Sequence, residues 1–145
     1  VSKYLRDVYF TANAAFIQSQ ISIDTDGETV IDVTNPERKL QGQSPYMLNV
    51  QLEYDNPDIG TMVALLYNSY GARITTAGAT GQPDQFEETA HLLDLVFSQK
   101  LGGGFKFKAK GQNLLNAKIA ETKDGNDVKT THKGVAISMG LSYSY

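Results

Sequence analysis

The sequence contains no cysteine. Disulfide bonds and thiolate metal sites are therefore excluded. It also has no run of roughly 18 apolar residues, the length that a transmembrane helix needs. Its first residues show no basic segment followed by an apolar segment, as a signal peptide would. Because the chain starts with Val1 rather than Met, we expect a mature or truncated form of an exported protein.

Charged residues are mixed in sign along the whole chain. The 13 basic and 16 acidic residues give a formal net charge of −3 and form no concentrated basic region. A nucleic-acid partner would need such a region, so we expect none. The two histidines have no serine and aspartate ordered around them as nucleophile and orienting group. We therefore expect no enzymatic activity and no cofactor.

The dominant pattern is an alternation of apolar and polar residues with period two, in segments of about ten residues separated by Gly, Asn, Asp and Pro. It is clearest at the end of the chain, where bulky side chains alternate with Ala, Ser and Gly. The bulky residues there are Val135, Ile137, Met139, Leu141, Tyr143 and Tyr145. The pattern predicts an all-β, antiparallel fold of about six strands. The predicted strands lie near residues 8–23, 46–54, 61–74, 93–101, 105–120 and 135–145.

The predicted connections alternate in length. Long polar loops are expected near residues 24–44, 75–88 and 121–132, and short turns near 55–60 and 102–104. Outer-membrane β-barrels have this asymmetry, with long extracellular loops and short periplasmic turns. The pattern therefore places the C-terminus at the periplasmic end.

Two kinds of protein have strands with one apolar face: soluble β-proteins and membrane β-barrels. Strand length favours the membrane, because segments such as 8–23 exceed the usual five or six residues or so, whereas a tilted membrane strand needs about 9 to 11. Tyrosines near strand ends, such as Tyr46 and Tyr54, suit an interfacial aromatic girdle. Six strands are fewer than the roughly eight of the smallest membrane barrels. We therefore expect further strands to complete the barrel.

Residues 38–74, including Gly71 to Ile74, and residues 105–145, including Gln112 to Asn116, carry the most specific matches to the strands of a known family. They resemble the C-terminal six strands of TonB-dependent outer-membrane receptors, and the resemblance covers nearly the whole chain. The last strand is similar to the signal by which barrel proteins are recognised for insertion, with Leu141, Tyr143 and Tyr145 as its bulky residues.

This resemblance implies a barrel of about 22 strands with a plugged lumen. It implies TonB-dependent uptake of a scarce ligand such as a siderophore, a vitamin or a carbohydrate, across the bacterial outer membrane. The implied partners are outer-membrane lipid, the remaining strands and plug domain, the TonB complex and the barrel-assembly machinery. Residues 1–145 would then be the C-terminal part of the barrel, without the plug domain or the segment that contacts TonB.

A row of lysines is the main candidate for ligand contact. Lys106, Lys108 and Lys110 share one side of a predicted strand and could face an anionic ligand in a lumen. Their more ordinary role would be to pair with carboxylates on neighbouring strands or on the plug.

Two other clusters were considered as metal sites. Asp24, Asp26 and Glu28 supply oxygen atoms that calcium could bind, but their surroundings are typical of a solvated turn. Glu87, Glu88 and His91 lie close in sequence without the spacing of a known metal motif. We expect no metal at either cluster.

Two other functions stay open. One is a small structural or adhesive outer-membrane protein that closes its barrel by oligomerising. The other is a soluble ligand-binding β-barrel, which would have to bury Phe10, Phe16, Phe97, Phe105 and Phe107 in one core.

Overall fold

The computed structural model describes residues 6–24 and 33–145. These residues form twelve β-strands and no helix. The strands are β1 (Val8–Phe16), β2 (Ile21–Ser22), β3 (Glu37–Arg38), β4 (Tyr46–Asn56), β5 (Thr61–Tyr70), β6 (Arg73–Thr76), β7 (Gln85–Glu87), β8 (Ala90–Gly102), β9 (Phe105–Gln112), β10 (Lys118–Lys123), β11 (Asn126–His132) and β12 (Ala136–Tyr143). No described segment is a helix long and apolar enough to cross a membrane. The predicted all-β, antiparallel fold is confirmed.

The six longest predicted segments form one sheet, in the order β1-β4-β5-β8-β9-β12. Every neighbouring pair in it is antiparallel. Each of these strands pairs with the next long strand along the chain, as expected when consecutive elements are joined by local connections. The long sheet is therefore a meander whose order follows the sequence.

A second sheet continues the first beyond short interruptions. Its strand order is β11-β10-β7-β6. This matches the order β12, β9, β8 and β5 in the long sheet, because each strand of the second sheet is next in sequence to the corresponding long strand. For example, β5 ends at Tyr70 and β6 begins at Arg73. The small β2–β3 pair extends the β1–β4 pair in the same way. All extensions lie at the end where the long connections were predicted.

Two details of the prediction are wrong. Residues 75–88 and 121–132 were expected to be loops, but they contain all of β7 and β11 and parts of β6 and β10. Short polar strands do not show the alternation that identifies the long ones. The predicted long strands 8–23, 61–74 and 105–120 are also each interrupted, because residues 17–20, 71–72 and 113–117 are not in a strand.

Asn113 explains the interruption of residues 105–120. The segment Asn113–Asn116 was expected to be a strand motif but forms a turn, with φ of 53° at Asn113 and 49° at Asn116. Asn tolerates this left-handed conformation better than most residues. The Asn113 side chain accepts a hydrogen bond from the Ala117 N–H at 2.8 Å and donates one to the Gly134 carbonyl at 2.8 Å. It thereby joins the β9–β10 segment to the β11–β12 segment, at the point where each passes from the long sheet to its extension.

The short turns lie at the opposite end, as predicted. Between β4 and β5, the Asn56 side-chain oxygen accepts hydrogen bonds from the N–H groups of Asp58 and Ile59. The Arg6 guanidinium donates a hydrogen bond to the Asp58 carboxylate at 3.1 Å. Its hydrogen bond to Asp7, and to a smaller extent the one to Asp58, raises the pKa of Arg6. Between β8 and β9, the glycines of residues 102–104 all have positive φ. Side-chain hydrogen bonds therefore stabilise the first hairpin, and the positive φ that glycine tolerates allows the second.

The long sheet is open within the described residues. Its outer strands, β1 and β12, each have one unpaired edge, so these residues form no closed barrel. Buried apolar side chains in this part of the chain are Ala64, Ile74 and Ala90. No dry core of large side chains is present in the described part. The sheet is held together by its backbone ladders and by contacts between neighbouring side chains.

Gly104 offers a test of the β9–β12 register. Alanine at either Gly102 or Gly104 would be strained by φ values of 84° and 82°. At Gly104 the added Cβ would also collide with the Ser144 carbonyl oxygen, whereas at Gly102 it meets open space. We expect Gly104→Ala to lower the free energy of unfolding by at least about 1 kcal/mol more than Gly102→Ala, because it also disturbs a backbone hydrogen bond. Urea unfolding in lipid vesicles measures both, and equal losses would contradict the pairing of Gly104 with Ser144.

Candidate functional site

The register of the long sheet places most of its large apolar residues on one face, although Met62, Leu66 and Leu92 lie on the other. Directly paired residues in antiparallel strands point to the same side. Phe10 pairs with Leu52, Leu52 with Leu65, and Leu65 with Leu95. We call this side the apolar face; it consists of Val8, Phe10, Ala12, Ala14, Phe16, Tyr46, Leu48, Val50, Leu52, Tyr54, Val63, Leu65, Tyr67, Leu93, Leu95, Phe97, Phe105, Phe107, Ala109, Ile137, Met139, Leu141 and Tyr143.

Much of the apolar face is uncovered. Phe16 is 85% exposed, Phe10 68% and Met139 72%. The phenylalanines that a soluble fold would have to bury in one core therefore do not form one among the described residues. An exposed apolar surface of this extent marks contact with a protein or a membrane.

Aromatic residues lie toward both ends of the apolar face. Tyr46 is the first residue of β4, and Tyr54 follows later in the same strand. At about 3.4 Å per residue, the two tyrosines are roughly 27 Å apart. Near the short turns the rings of Phe105 and Tyr143 are 4.9 Å apart. At the other end Tyr67 is hydrogen-bonded to His91 at 2.7 Å. Aliphatic side chains thus lie between two aromatic margins.

The opposite side, which we call the polar face, is mixed in character. Asn13, Asn49, Gln51 and Asn68 line a shallow depression of about 190 Å³ together with Thr11, Val50 and Leu66. Asn49 donates a hydrogen bond to Asn13 at 3.0 Å. These amides can form hydrogen bonds to water or to a polar solute.

The three predicted lysines lie together on the polar face. Lys106 pairs with Ser142, Lys108 with Gly140 and Lys110 with Ser138. On the other side, Lys106 pairs with Lys100 of β8. Lys100 was not part of the predicted row, although its polar parity and its place just before the glycine turn are both visible in the sequence. We call these four residues the lysine patch.

The lysine patch forms no ion pair with its neighbouring strands within the described residues. Directly opposite Lys110 and Lys108, β8 presents Val96 and Ser98, and β12 presents small or hydroxyl side chains. Asp94 lies on the same face of β8, diagonally from Lys110, and accepts a hydrogen bond from the Asn113 N–H at 2.9 Å. The expected pairing with carboxylates on neighbouring strands is therefore not seen among the described residues, and pairing with the plug stays a prediction. Glu53 shares a row with Lys110 but lies three strands away, at about 14 Å. That distance exceeds the Debye length of about 8 Å at physiological ionic strength.

The predicted C-terminal signal residues have different positions. Leu141 pairs with Phe107 and Tyr143 with Phe105, so both belong to the apolar face. Tyr145 lies beyond the end of β12 and is fully exposed. The predicted alternation is present in β12. This strand lies at the edge of the long sheet, and its outer edge has no hydrogen-bonded neighbour among the described residues.

The residues considered for metal binding are not brought together. Glu87 pairs with Arg73 at 2.9 Å, Glu88 accepts a hydrogen bond from Thr122, and His91 lies on the apolar face beside Tyr67. No group of three metal-ligating side chains occurs among residues 6–24 and 33–145. Asp26 and Glu28 lie outside the described residues.

Asp84 organises the chain at the extended end and was not predicted. Its carboxylate is 6% exposed and accepts hydrogen bonds from the Gly78 N–H at 2.6 Å and the Asn35 side chain at 3.0 Å. The Arg38 guanidinium lies 3.9 Å away. Gly78 is only six residues from Asp84, but Asn35 and Arg38 lie more than 45 residues before it, so no local pattern in the sequence could reveal the full set.

Asp84→Asn tests this role. The variant keeps the shape but removes the charge that strengthens the hydrogen bond to Gly78, so we expect amide exchange at Gly78 to accelerate roughly tenfold, in line with about 1.5 kcal/mol for a bond to a charged group. Hydrogen exchange read by NMR or mass spectrometry measures this. The control is Asp124→Asn in the exposed β10–β11 turn, which should leave Gly78 unchanged. Unchanged exchange in Asp84→Asn would contradict the role.

Comparisons with models of protein families, with curated proteins and with solved structures find no significant match to this chain.

Proposed function

We propose that this chain forms part of the wall and outer loops of a bacterial outer-membrane β-barrel that takes up a scarce ligand, in the manner of TonB-dependent receptors. The observation that carries the proposal is the apolar face, which is continuous across six strands and exposed. The hydrocarbon interior of a lipid bilayer is the environment that fits such a face best.

The two faces support a sheet between two solvents. Lipid-facing and lumen-facing residues alternate along each strand of a membrane barrel, with aromatic girdles at both interfaces. The apolar face has aromatic residues toward both ends, and the polar face carries amides and charged groups. An apolar band about 25 Å tall is typical of such barrels, and the Tyr46–Tyr54 segment is of comparable length.

The unpaired edges of β1 and β12 imply further strands. In hydrocarbon every backbone polar group must find a partner within the protein, so a membrane sheet has to close. We therefore propose that other strands continue the sheet from both edges. A lumen wide enough for a plug, as the resemblance implies, would need about 22 strands in all.

The extended end is proposed to face outward and to reach the ligand. There the second sheet projects beyond the apolar face, with Arg73–Glu87 and Lys129–Glu121 ion pairs on adjacent strands. Tyr70 interacts with Glu87 and lies under the Arg73 guanidinium at 5.2 Å, so this charged network continues the polar face. Uptake would draw on the TonB complex through the plug-bearing part of the protein.

Two alternatives differ from the proposal in measurable ways. A soluble ligand-binding barrel would have to cover the apolar face, and the described residues leave it exposed. A small structural or adhesive barrel could close by joining the β1 and β12 edges of several copies. Chemical cross-linking between those two edges in the membrane would distinguish this assembly from a single-chain barrel.

Adjacent leucines give a matched test of the two faces. The chain has no tryptophan, so one introduced ring is a unique fluorophore. Leu65 belongs to the apolar face and Leu66 to the polar face, opposite Asp94. In vesicles of brominated lipid, the Leu65→Trp fluorescence should fall by at least about half, whereas Leu66→Trp should be quenched mainly by aqueous acrylamide.

A second pair checks that the result is general. Leu93 and Leu92 on β8 have the same relation to the two faces. Quenching by lipid at both members of a pair, or at neither, would overturn the proposed membrane wall. Each variant replaces leucine with tryptophan, so the change in side-chain size is the same.

The orientation can be tested with single cysteines, since the chain has none of its own. Asp127 is exposed on β11 at the extended end, and Asp58 is exposed in the short β4–β5 turn. On intact cells a membrane-impermeant maleimide should label Asp127→Cys, and should label Asp58→Cys only after the outer membrane is permeabilised. The reverse pattern would invert the proposed orientation.

A further inference from the structure

We propose that the lysine patch, formed by Lys100, Lys106, Lys108 and Lys110, binds a compact multivalent oxyanion of the phosphate or pyrophosphate type. This inference rests on the proposed function, since a water-filled lumen would keep the patch hydrated and open to a solute. It adds a chemical class of ligand and a place on the barrel wall, at the end near the short turns.

The first support is the concentration of positive charge. Lys106, Lys108 and Lys110 occupy alternate positions of β9, about 6.8 Å apart along the strand. Lys100 faces Lys106 directly across the β8–β9 ladder. Like charges placed opposite each other repel, so this arrangement favours the presence of an anion.

The second support is that the patch forms no ion pair, although Asp94 lies on the same face of β8, diagonally from Lys110. Within the described part of the chain, none of the four ammonium groups takes part in an ion pair or a hydrogen bond. By contrast, Lys129 on β11 pairs with Glu121 at 3.1 Å. The patch therefore keeps its full capacity to donate hydrogen bonds.

The third support is a depression between Lys100 and Lys106. It has a volume of about 210 Å³ and is also lined by Gly102, Gly104, Phe105 and Ser144. The absence of side chains at the two glycines leaves the approach to both lysines open. A compact oxyanion could lie there within reach of two ammonium groups, which can donate hydrogen bonds to it, while the Ser144 hydroxyl donates to the Gly104 carbonyl at 3.5 Å.

Lys100 is held in place for this role by Gly60. The space above Gly60 is filled by the Lys100 side chain, so that an added Cβ would meet the Lys100 Cβ at 2.6 Å. The Lys100 backbone N–H also donates a hydrogen bond to the Gly60 carbonyl at 2.8 Å. The short β4–β5 turn thus supports one wall of the depression.

Lysine footprinting tests the proposal on the intact protein in zwitterionic detergent. A water-soluble acylating reagent modifies each accessible lysine, and peptide mass spectrometry reads the rate at each position. Inorganic pyrophosphate should slow acylation of the patch at least about fivefold, while sodium chloride at equal ionic strength should not. Lys118 and Lys133, exposed near the extended end, are internal controls and should keep their rates.

Binding measured by calorimetry gives a second readout. The triple variant Lys106→Gln, Lys108→Gln, Lys110→Gln should weaken pyrophosphate binding at least about tenfold. The matched control, Lys118→Gln, Lys123→Gln, Lys133→Gln, removes the same number of charges and takes the formal net charge from −3 to the same value. It should bind as the unaltered protein does.

Three outcomes would overturn the inference. They are equal protection of all lysines, equal loss of binding in both triple variants, and a patch that is unreactive before pyrophosphate is added because the protein's own carboxylates cover it. None of these would affect the lipid-quenching result on Leu65 and Leu66. Failure of the anion site can therefore be distinguished from failure of the proposed membrane wall.

Discussion

The constraint on which the structure depends is the register of the antiparallel ladders between the six long strands. Side chains alternate with a period of two, so a slip of one residue would move every side chain of a strand to the other face. The two short turns preserve the register on either side of them. At the β8–β9 hairpin the pairing shifts at Leu101, so that Lys100 pairs with Lys106 and Gly102 pairs with Phe105.

The register determines which interactions can stabilise the sheet. A soluble domain gains most of its stability by burying large apolar side chains, but here the largest of them share one exposed face. The described sheet leaves this face exposed and two backbone edges unpaired. A soluble barrel would cover the face by closing with it inward, whereas the proposed membrane wall would cover it with lipid.

The sequence was sufficient for the six long strands, because their alternation is regular and Asn, Asp and Gly mark the short hairpins. It was insufficient for β6, β7, β10 and β11, which are short and carry only isolated apolar side chains such as Ile74 and Phe86. The turn at Asn113 was missed because a local match to a strand motif ignored the tolerance of Asn for positive φ. Asp84 was missed for another reason: two of its partners, Asn35 and Arg38, lie more than 45 residues before it, so only the folded chain brings them together.

The lysines of β9 also contribute to the register if the apolar face meets lipid. A lysine facing lipid at the bilayer midplane is unfavourable by about 2–4 kcal/mol, and by less near the interfaces. A one-residue slip of β9 would move Lys106, Lys108 and Lys110 to the lipid side and turn Phe105 and Phe107 toward water. Even with the smaller values near an interface, this amounts to several kcal/mol, comparable with the whole stability of a typical domain of about 5–15 kcal/mol. In water, by contrast, two lysine charges about 6.8 Å apart repel by only about 0.6 kcal/mol. The same three residues can therefore keep β9 in register and leave a positive surface open to an anion.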